Sequence, residues 1–231
     1  SNIMGFYRGP NIVTDGLLFA YDAGSERCYP GSGTSATNIM SQASPGTFTG
    51  GVGFNTSNGG YWEFDGVDSN IEVTNFPTQV FNGSCTMECW IYFVNDTRAI
   101  MLGNYNQGTG GHDVNFELVS GSGLRWYWDR GSRDVTVSSV VTQNVWQCIT
   151  YVRDTSANEF RFYVNGVLVG TVANAGSNIP TTGTTFDIGS DVRTGDPVLN
   201  GNMASLKMYN LALTTAQALQ NFNAQKSRFG L

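Results

Sequence analysis

The middle of the chain carries a run of aromatic and charged residues, LRWYWDR, from Leu124 to Arg130. Sugars present apolar C–H faces and hydroxyl edges, so a sugar site combines aromatic rings with Asn, Asp or Arg side chains. On a strand, Trp126 and Trp128 would share the core-facing side, which leaves Arg125 and Tyr127 facing outward. The run either only fills a core or adds its outward residues to a carbohydrate site composed of Tyr105, Asn106, His112, Arg125, Tyr127 and Asp129.

His112 is the only histidine, which limits the catalytic chemistry open to the chain. A zinc site with several histidines is excluded, and any Ser-His or Cys-His relay would have to use this one side chain. Its setting, GGHD, is typical of a loop tip, so His112 is expected to be either a solvated loop residue or a ligand contact. The net charge of −6 and the lack of a Lys/Arg cluster in the sequence argue against nucleic-acid binding.

A sheet must position these residues, and the sequence is rich in short apolar runs of β type. The clearest signal is EFRFYV-NG-VLV, because Asn165-Gly166 accepts the positive φ angles of a type I′ turn and so predicts an antiparallel hairpin. The predicted strands are too numerous for one flat sheet, which favours two stacked sheets. They comprise residues 17–21, 61–64, 70–74, 86–94, 99–103, 114–119, 124–129, 146–152, 159–164, 167–172, 184–189 and 202–209.

Several segments stand apart from these strands. Residues 214–222, TTAQALQNF, begin with a Thr followed three residues later by Gln, which predicts a short capped helix near the C-terminus. Residues 1–10 are expected to form an N-terminal arm, and residues 11–231 a single domain. Residues 30–60 are rich in small polar and turn residues, which predicts a long surface loop packed by Ile39, Met40, Phe48 and Phe54.

The cysteines have neither a C-x-x-C spacing nor the density of a disulfide-rich domain. We expect Cys28, Cys85, Cys89 and Cys148 to be reduced, partly buried thiols, with a Cys89–Cys148 disulfide as the alternative. The first ten residues lack the pattern of a signal peptide, and no apolar stretch is long enough to span a bilayer. The expectation is a soluble protein that folds in a reducing cytoplasm.

Several short segments of the sequence, taken together, resemble those of a known family. They are NIVTDGLLFAYDAG at 11–24, CYPGSG at 28–33, FDGVD at 64–68, TMECWI at 86–91, WQCITY at 146–151, YVNG at 163–166 and LKMYN at 206–210. Together they resemble the laminin-G-like branch of the concanavalin A-like lectin/glucanase superfamily. The resemblance implies an all-β fold, namely a two-sheet antiparallel jelly-roll sandwich with a short C-terminal helix.

The superfamily includes glucanases whose Glu-x-Asp-x-x-Glu pattern places two carboxylates on one strand face, as retaining hydrolysis requires. Glu63, Asp65 and Asp68 have matching offsets, but residues 66–68 resemble the family's turn, so Asp68 would leave that face. No catalytic residue is therefore assigned, and the chain is expected not to be an enzyme. These acids are expected to cap turn N–H groups, and the alternative is a calcium site formed by Asp22, Asp65 and Asp68.

The opening phrase GPNIVTDG and the closing phrase RFGL are similar to laminin-G-like virion proteins of tailed bacteriophages, marine ones included. This resemblance implies a non-catalytic virion-surface protein, such as a capsid decoration, a fibre or an appendage, assembled in the host cytoplasm. Its expected partners are other virion proteins, further copies of itself and host-surface glycans, with no nucleic acid and no membrane insertion. The alternatives are a purely structural virion protein without sugar affinity and a glycoside hydrolase.

Overall fold

Short strands joined by turns build two antiparallel sheets and one helix. The computed structural model describes residues 10–106, 111–128, 133–175, 179, 183–191 and 198–231, and for residues 105, 106, 111–113 and 133 it describes the backbone only. The helix α1 spans Thr215–Gln225, and 3₁₀ turns lie at Ser57–Gly59, Thr78–Asn82 and Lys226–Phe229. The strands are β1 Leu17–Asp22, β2 Ser35–Ala36, β3 Gly46–Thr49, β4 Gly53–Asn55, β5 Tyr61–Asp65, β6 Asn70–Val73, β7 Cys85–Phe93, β8 Ala99–Asn106, β9 Gly111–Val119, β10 Gly123–Trp128, β11 Arg133–Val137, β12 Trp146–Asp154, β13 Glu159–Val164, β14 Val167–Ala173, β15 Phe186–Ile188 and β16 Asn200–Tyr209.

The strands form two sheets that each mix early and late parts of the chain. Sheet A has the order β14-β13-β12-β7-β16-β5-β4, and β1 pairs with the second half of β16. Sheet B has the order β11-β10-β9-β8-β15-β6-β3-β2. All pairings among the described strands are antiparallel, so the predicted two-sheet jelly-roll sandwich with one short C-terminal helix is confirmed.

The β13–β14 hairpin forms at the predicted turn. Asn165 and Gly166 have φ angles of 52° and 74°, which are the positive values that the turn requires. Along β13, Phe160 and Phe162 are fully buried, while Arg161 lies on the opposite face and pairs with Asp154 at 3.2 Å. The alternation of one buried and one partly wet face therefore follows the sequence pattern.

The core lies between the two sheets and is built largely from aromatic rings. Trp126 packs against Phe116 with ring centroids 4.6 Å apart and edge-on against Phe160 at 5.1 Å. Trp126 and Trp128 are both buried in this core, as predicted. Because successive residues of a strand point to opposite faces, Arg125 and Tyr127 lie on the outer face of sheet B.

Helix α1 covers part of the outer face of sheet A. The predicted cap is present, since Thr214 accepts from the Gln217 N–H at 3.2 Å and the Gln217 side chain accepts from the Thr214 N–H at 2.9 Å. Beneath the helix, the Lys207 ammonium donates to the Glu88 carboxylate at 3.1 Å, and the Asn221 amide donates to its other oxygen at 3.0 Å. All three of these side chains are buried, so the helix is docked by a polar network as well as by apolar contacts.

Residues 30–60 are not the long loop that was predicted. They contribute β2, β3 and β4, and β3 pairs with β6 while β4 pairs with β5. Phe48 is buried, and Ile39 and Phe54 pack against the core, but Met40 is 44% exposed and does not anchor the segment. Tertiary pairing with longer strands overrides the weak β propensity of these glycine-rich residues.

The four cysteines are buried free thiols, as predicted. Cys89 points into the core between the sheets, whereas Cys148 lies on the outer face of sheet A beside Trp90. The two residues therefore occupy opposite faces of adjacent strands, and the alternative Cys89–Cys148 disulfide is wrong. Within the described ranges, no helix combines the length and the apolar character needed to cross a bilayer.

Candidate functional site

The outer face of sheet B carries a row of four polar side chains and one glycine that crosses five strands. Tyr127 of β10 pairs with Asn115 of β9, which in turn pairs with Gly103 of β8. Gly103 pairs with Asp187 of β15, and Asp187 pairs with Glu72 of β6. Residues opposite one another in a sheet share a face, so these five residues, here called the polar row, all lie away from the core.

The centre of the polar row is a packed polar layer. Asn115 and Asp187 are both fully buried. A Cβ at Gly103 would lie 2.4 Å from the side-chain oxygen of Asn115, so glycine leaves the space that this amide occupies. The Asn115 amide nitrogen donates to Asp191 at 3.1 Å. The accessible groups of the face are therefore found at the ends of the polar row and beside it.

Asp187 is the unusual member of the polar row. Neither of its carboxylate oxygens has a hydrogen-bond partner among the described residues. Burial, and then repulsion from Glu72 and Asp191, raises the pKa of Asp187 to about 8. The carboxyl group is therefore mainly protonated at neutral pH, and its burial keeps it from touching a ligand directly.

Beside the polar row, Glu117 of β9 holds two arginines. Its carboxylate accepts from Arg98 at 2.7 Å and from Arg125 at 2.5 Å. Glu117 is fully buried, whereas the side chains of Arg98 and Arg125 are 34% and 23% exposed. Two guanidinium groups surround one buried carboxylate here, and the exposed Asp134 of β11, opposite Tyr127, lies on the same face. Arg98, Glu117 and Arg125 are called the arginine cluster below.

Tyr127 extends the arginine cluster with an aromatic surface. The Arg125 guanidinium lies over the Tyr127 ring at 5.2 Å from its centroid, a cation–π contact. The ring and Glu117 hold the guanidinium from two sides, and the side chain keeps its partly exposed edge. The arrangement presents a fixed charged donor group next to an apolar ring on an accessible face.

Of the six residues predicted for sugar binding, the structure brings Arg125 and Tyr127 together on this face. Tyr105 and His112 are cross-strand partners in the β8–β9 pair, and Asn106 pairs with Gly111. The predicted loop tip at His112 is wrong, because its backbone belongs to β9 and pairs with β8. Only the backbones of Tyr105, Asn106 and His112 are described, and Asp129 lies outside the described residues.

The three residues predicted as calcium ligands serve other contacts. Asp22 forms a double ion pair with Arg228, at 2.9 and 3.1 Å, and caps the Gly24 N–H. One oxygen of Asp65 accepts from the N–H groups of Val67, Asp68 and Ser69 and from the Ser69 hydroxyl, which lowers the pKa of Asp65 despite the opposing effect of burial. Asp68 stays in that turn.

Asp65 thus acts as the turn cap that the sequence predicts. No group of three or more His, Cys, Asp or Glu side chains in the described ranges is placed to hold a metal ion. Both carboxylate oxygens of Asp22 and one of Asp65 already accept hydrogen bonds, so the fit of these residues to calcium is poor. Calcium binding stays a prediction.

The sequence reasoning missed the buried layer of this face. Asn115 and Glu117 alternate with Val114, Phe116 and Leu118 along β9, and that alternation was the available signal for outward polar residues. Asp187 has only one neighbour on each side in the short strand FDI, which gives no periodicity. Its position in the polar row follows from pairing with β6 and β8, which cannot be derived from local pattern.

Comparison with solved structures shows the fold. The chain is similar to a Trypanosoma rangeli sialidase in complex with a difluoro sugar acid, with 13% identity, a TM-score of 0.68, and coverage of 94% of this chain and 34% of that one. It is similar to the binding domain of botulinum neurotoxin DC in complex with rat synaptotagmin II, with 13% identity, a TM-score of 0.68, and coverage of 92% and 52%.

The chain is also similar to botulinum neurotoxin type C, a toxin whose cell entry depends on interaction with two ganglioside molecules. That match has 13% identity, a TM-score of 0.68, and coverage of 91% of this chain and 51% of that one. The chain thus spans about a third to a half of the solved chains that it matches. A search of curated protein sequences finds no match.

A family model of the concanavalin A-like lectin/glucanases superfamily, of the laminin G type, matches residues 65–218. The match extends from the turn at Asp65 to Ala218 in α1, and it includes every strand from β6 to β16. It covers more than half of the chain, and the antiparallel sandwich agrees with it. The chain therefore belongs to the laminin G branch of the concanavalin A-like lectin/glucanases superfamily.

Proposed function

We propose that this chain is a non-catalytic carbohydrate-binding module of a virion surface, and that its arginine cluster and Tyr127 bind an acidic glycan. The observation that carries the proposal is the partly exposed guanidinium of Arg125, held by buried Glu117 and by the Tyr127 ring. A guanidinium matches a carboxylate with two parallel hydrogen bonds, which gives direction as well as attraction. A sugar acid would place its carboxylate there and its C–H face on Tyr127.

Preorganisation strengthens this interpretation. A flexible arginine loses side-chain entropy when it binds, but Arg125 is already fixed by two hydrogen bonds to Glu117, at 2.9 and 2.5 Å. Glu117 is in turn bridged to Arg98, so the arginine cluster behaves as one unit. Two guanidinium groups around a single carboxylate also leave N–H donors that an anionic ligand could accept from.

The comparisons support a sugar ligand without identifying it. The superfamily is named for lectins and glucanases, and the similar solved structures include a sialidase with a bound sugar acid and a neurotoxin that depends on gangliosides for cell entry. These proteins are 13% identical to the chain, so the choice of an acidic glycan depends on the arginine cluster and not on them.

The absence of catalysis is part of the proposal, since glycoside hydrolysis needs two accessible carboxyl groups. Asp187 and Glu72 are directly opposite one another, but both oxygens of Asp187 are closed to solvent. Glu63 and Asp65 share the outer face of sheet A, and Asp65 is engaged by four donors of its own turn. These contacts support the proposal that neither pair acts as acid and nucleophile on a bound sugar.

The virion-surface part of the proposal is supported by the phrases at 9–16 and 228–231 that resemble laminin-G-like phage virion proteins. A capsid decoration, a fibre or an appendage would display the arginine cluster in many copies, and weak sugar contacts would add through multivalency. Such a protein would be assembled in the host cytoplasm with other virion proteins and with further copies of itself.

A glycan array of the purified protein tests the proposal, run with calcium and again with a chelator. We expect acidic glycans to bind, and Arg125→Ala to weaken that binding by about tenfold or more, since a charge-assisted contact is lost. Arg27→Ala removes an exposed arginine elsewhere and is the matched control. The proposed site would be wrong if Arg125→Ala bound acidic glycans as well as the wild-type protein, or if the wild-type protein bound no glycan on the array. Release of sugar in a reducing-sugar assay would contradict the non-catalytic assignment.

The chelator arm also tests the predicted calcium site. If calcium bound by Asp22, Asp65 and Asp68 organises the sugar site, binding falls with chelator and falls again in Asp68→Asn. Equal binding in both arms removes calcium from the proposal and leaves the arginine cluster unaffected.

One observation favours the purely structural alternative. Strand β14 is an edge of sheet A, and its seven residues, VLVGTVA, include no charged residue and no proline. Val167 and Leu168 are 62% and 44% exposed. Native proteins usually protect such an edge, and an unprotected one invites pairing with another chain. Edge-to-edge association of copies would therefore serve a virion protein that binds no sugar.

A further inference from the structure

A second row of side chains crosses the outer face of sheet A, on the opposite side of the molecule from the arginine cluster. Trp146 of β12 pairs with Tyr92 of β7, and Tyr92 pairs with Asn202 of β16. Asn202 pairs with Glu63 of β5. Tyr61 lies on the same face of β5, with its ring 5.2 Å from that of Trp146. Tyr61, Glu63, Tyr92, Trp146 and Asn202 are called the aromatic patch.

The aromatic patch is accessible, unlike the aromatic core. Trp62, Trp90, Trp126 and Trp128 are buried, so Trp146 is the one tryptophan of the chain with a partly exposed ring. In the turn after α1, Phe229 stacks on Trp90 at 4.1 Å and packs against Trp146 at 4.8 Å with a tilt of 39°, so it covers one side of the Trp146 ring and leaves the residue partly exposed.

The Trp146 ring is held in place from its buried side. Tyr61, Tyr92 and Phe229 surround it with centroids at 5.2, 5.8 and 4.8 Å. With the Asn58 amide oriented so that its oxygen faces the indole, the Trp146 N–H donates to it at 2.9 Å. An indole with a satisfied N–H and a packed edge offers its remaining surface as a fixed apolar platform.

Hydrogen-bonding groups stand next to this platform. Glu63 and Tyr92 are the cross-strand partners of Asn202 on either side. Burial, and then the charges of Glu63 and Tyr92, raises the pKa of Tyr61. Glu63 is exposed and accepts from the Asn55 amide at 3.4 Å, so most of its acceptor capacity remains. Asn202 adds both a donor and an acceptor in the same row.

From this arrangement we infer that the aromatic patch is a second binding site, for a neutral saccharide. A pyranose ring would lie on Trp146 and direct its hydroxyl groups toward Glu63, Asn202 and the tyrosine hydroxyls. The row crosses four strands, about 14 Å at ordinary strand spacing, which is long enough for more than one sugar ring. This site does not depend on the arginine cluster.

Charge decides between classes of ligand at the aromatic patch. Its only ionised member is the Glu63 carboxylate, which accepts from sugar hydroxyls but repels a sugar acid or a sulfate. Arg228, which contacts Asn58 beside Trp146, is engaged by Asp22 and by the carbonyls of Asn58 and Gly60. The aromatic patch and the arginine cluster therefore select ligands of opposite kind.

The fluorescence of Trp146 can show whether a saccharide is bound at the aromatic patch. Acrylamide quenches exposed tryptophans, so quenching of the native protein comes from Trp146, and the Trp146→Phe variant gives the baseline of the four buried rings. We expect a neutral oligosaccharide, drawn from a panel of glucans, mannans and galactans, to lower quenching of the wild-type protein toward that baseline. Sialyllactose serves as the acidic comparison and should give no protection.

Calorimetry on the protective saccharide then tests the individual contacts. Trp146→Ala should weaken binding by about 30-fold, as loss of an interface anchor does. Glu63→Gln changes an exposed side chain that the fold does not need, and should weaken binding by about tenfold. Glu26→Gln alters an exposed carboxylate outside both sites and is its matched control.

Several results would overturn the inference. One is a folded wild-type protein in which no neutral saccharide of the panel protects Trp146. Another is full affinity in both Trp146→Ala and Glu63→Gln. A saccharide whose binding is lost in Arg125→Ala and kept in Trp146→Ala belongs to sheet B. Because the two sites are tested with different ligands and different variants, failure of one leaves the other standing.

Discussion

At the scale of single residues, the outer face of sheet B contains a buried carboxyl group, that of Asp187, which lacks a hydrogen-bond partner among the described residues. Asp187 is closed to solvent and faces Glu72 and Asp191, and its pKa is raised to about 8. An unfolded chain would ionise the same group near its ordinary value of 3.8. Between these values the folded state holds a proton that the unfolded state releases, so stability falls as pH rises through this window.

Asp187→Asn removes this titration while keeping the shape of the side chain. We expect the wild-type protein to lose stability between pH 5 and pH 8, on the order of 3 kcal/mol, and the variant to lose much less. Urea unfolding at both pH values measures the difference. Asp134→Asn, on an exposed residue of β11, is the control. Parallel losses in Asp187→Asn and the wild-type protein would mean that Asp187 is ionised in the folded state.

The outward residues of an alternating strand could be predicted at this scale, and the buried ones could not. Trp126 and Trp128 are large apolar side chains that are expected in the core, so the residues that alternate with them, Arg125 and Tyr127, are expected to face outward. This orientation can be predicted from the sequence alone. Glu117 and Asp187 look like ordinary surface acids in the sequence. Their burial comes from neighbours on other strands, and therefore from long-range pairing.

At the scale of elements, helix α1 is attached to sheet A by a buried ion pair. Glu88 and Lys207 lie on adjacent strands β7 and β16, and the helix supplies Asn221 and Gln225 as further partners at 3.0 and 2.8 Å. Burying two charges is unfavourable unless each is fully satisfied, and here the helix completes the network. Loss of either charge would therefore leave the other charge buried beneath the helix without its partner.

Lys207→Met tests this attachment. We expect the variant to lose about 3–5 kcal/mol of stability, because Glu88 is left buried and uncompensated. The double variant Glu88→Leu/Lys207→Met should recover most of that loss, since matched apolar groups remove both charges. Urea unfolding of the three proteins gives the comparison. A single variant as stable as the wild-type protein would show that solvent reaches Glu88.

Elements with strong local signals could be predicted, and elements defined by their partners could not. The Asn165-Gly166 hairpin and the Thr214 cap each place their signal within a few residues. Strands β3 and β4 are short and rich in Gly and Thr, so their pattern resembles a loop. They become strands because β6 and β5 offer unpaired edges beside them.

At the scale of the whole molecule, the two proposed binding sites lie on opposite outer faces, and β14 forms one edge of sheet A. The arginine cluster lies outside sheet B, and the aromatic patch lies outside sheet A. The uncharged strand β14 ends sheet A between them. Because the chain carries a net charge of −6, two copies repel each other in general, and a charge-free edge is where they can approach most easily.

Leu168→Lys places a charge on this edge. We expect the wild-type protein to associate as its concentration rises and the variant to remain monomeric, because edge lysines oppose strand pairing. Sedimentation velocity over a range of concentrations makes the comparison. Val67→Lys changes another exposed apolar residue, 74% exposed in the turn after β5, and should associate like the wild-type protein. Identical association in Leu168→Lys would place the contact elsewhere.

The position of β16 in sheet A also governs how the protein is made on the ribosome. Strand β16 is the last of the described strands, yet it pairs with β7 on one side and with β5 and β1 on the other, so Leu17 can pair with Tyr209 only after β16 has been synthesised. Until β16 emerges, the nascent sheet has a gap at its centre and exposes apolar residues of β1, β5 and β7. The sandwich therefore cannot be completed until β16 has emerged, and chaperones would be needed most before that point.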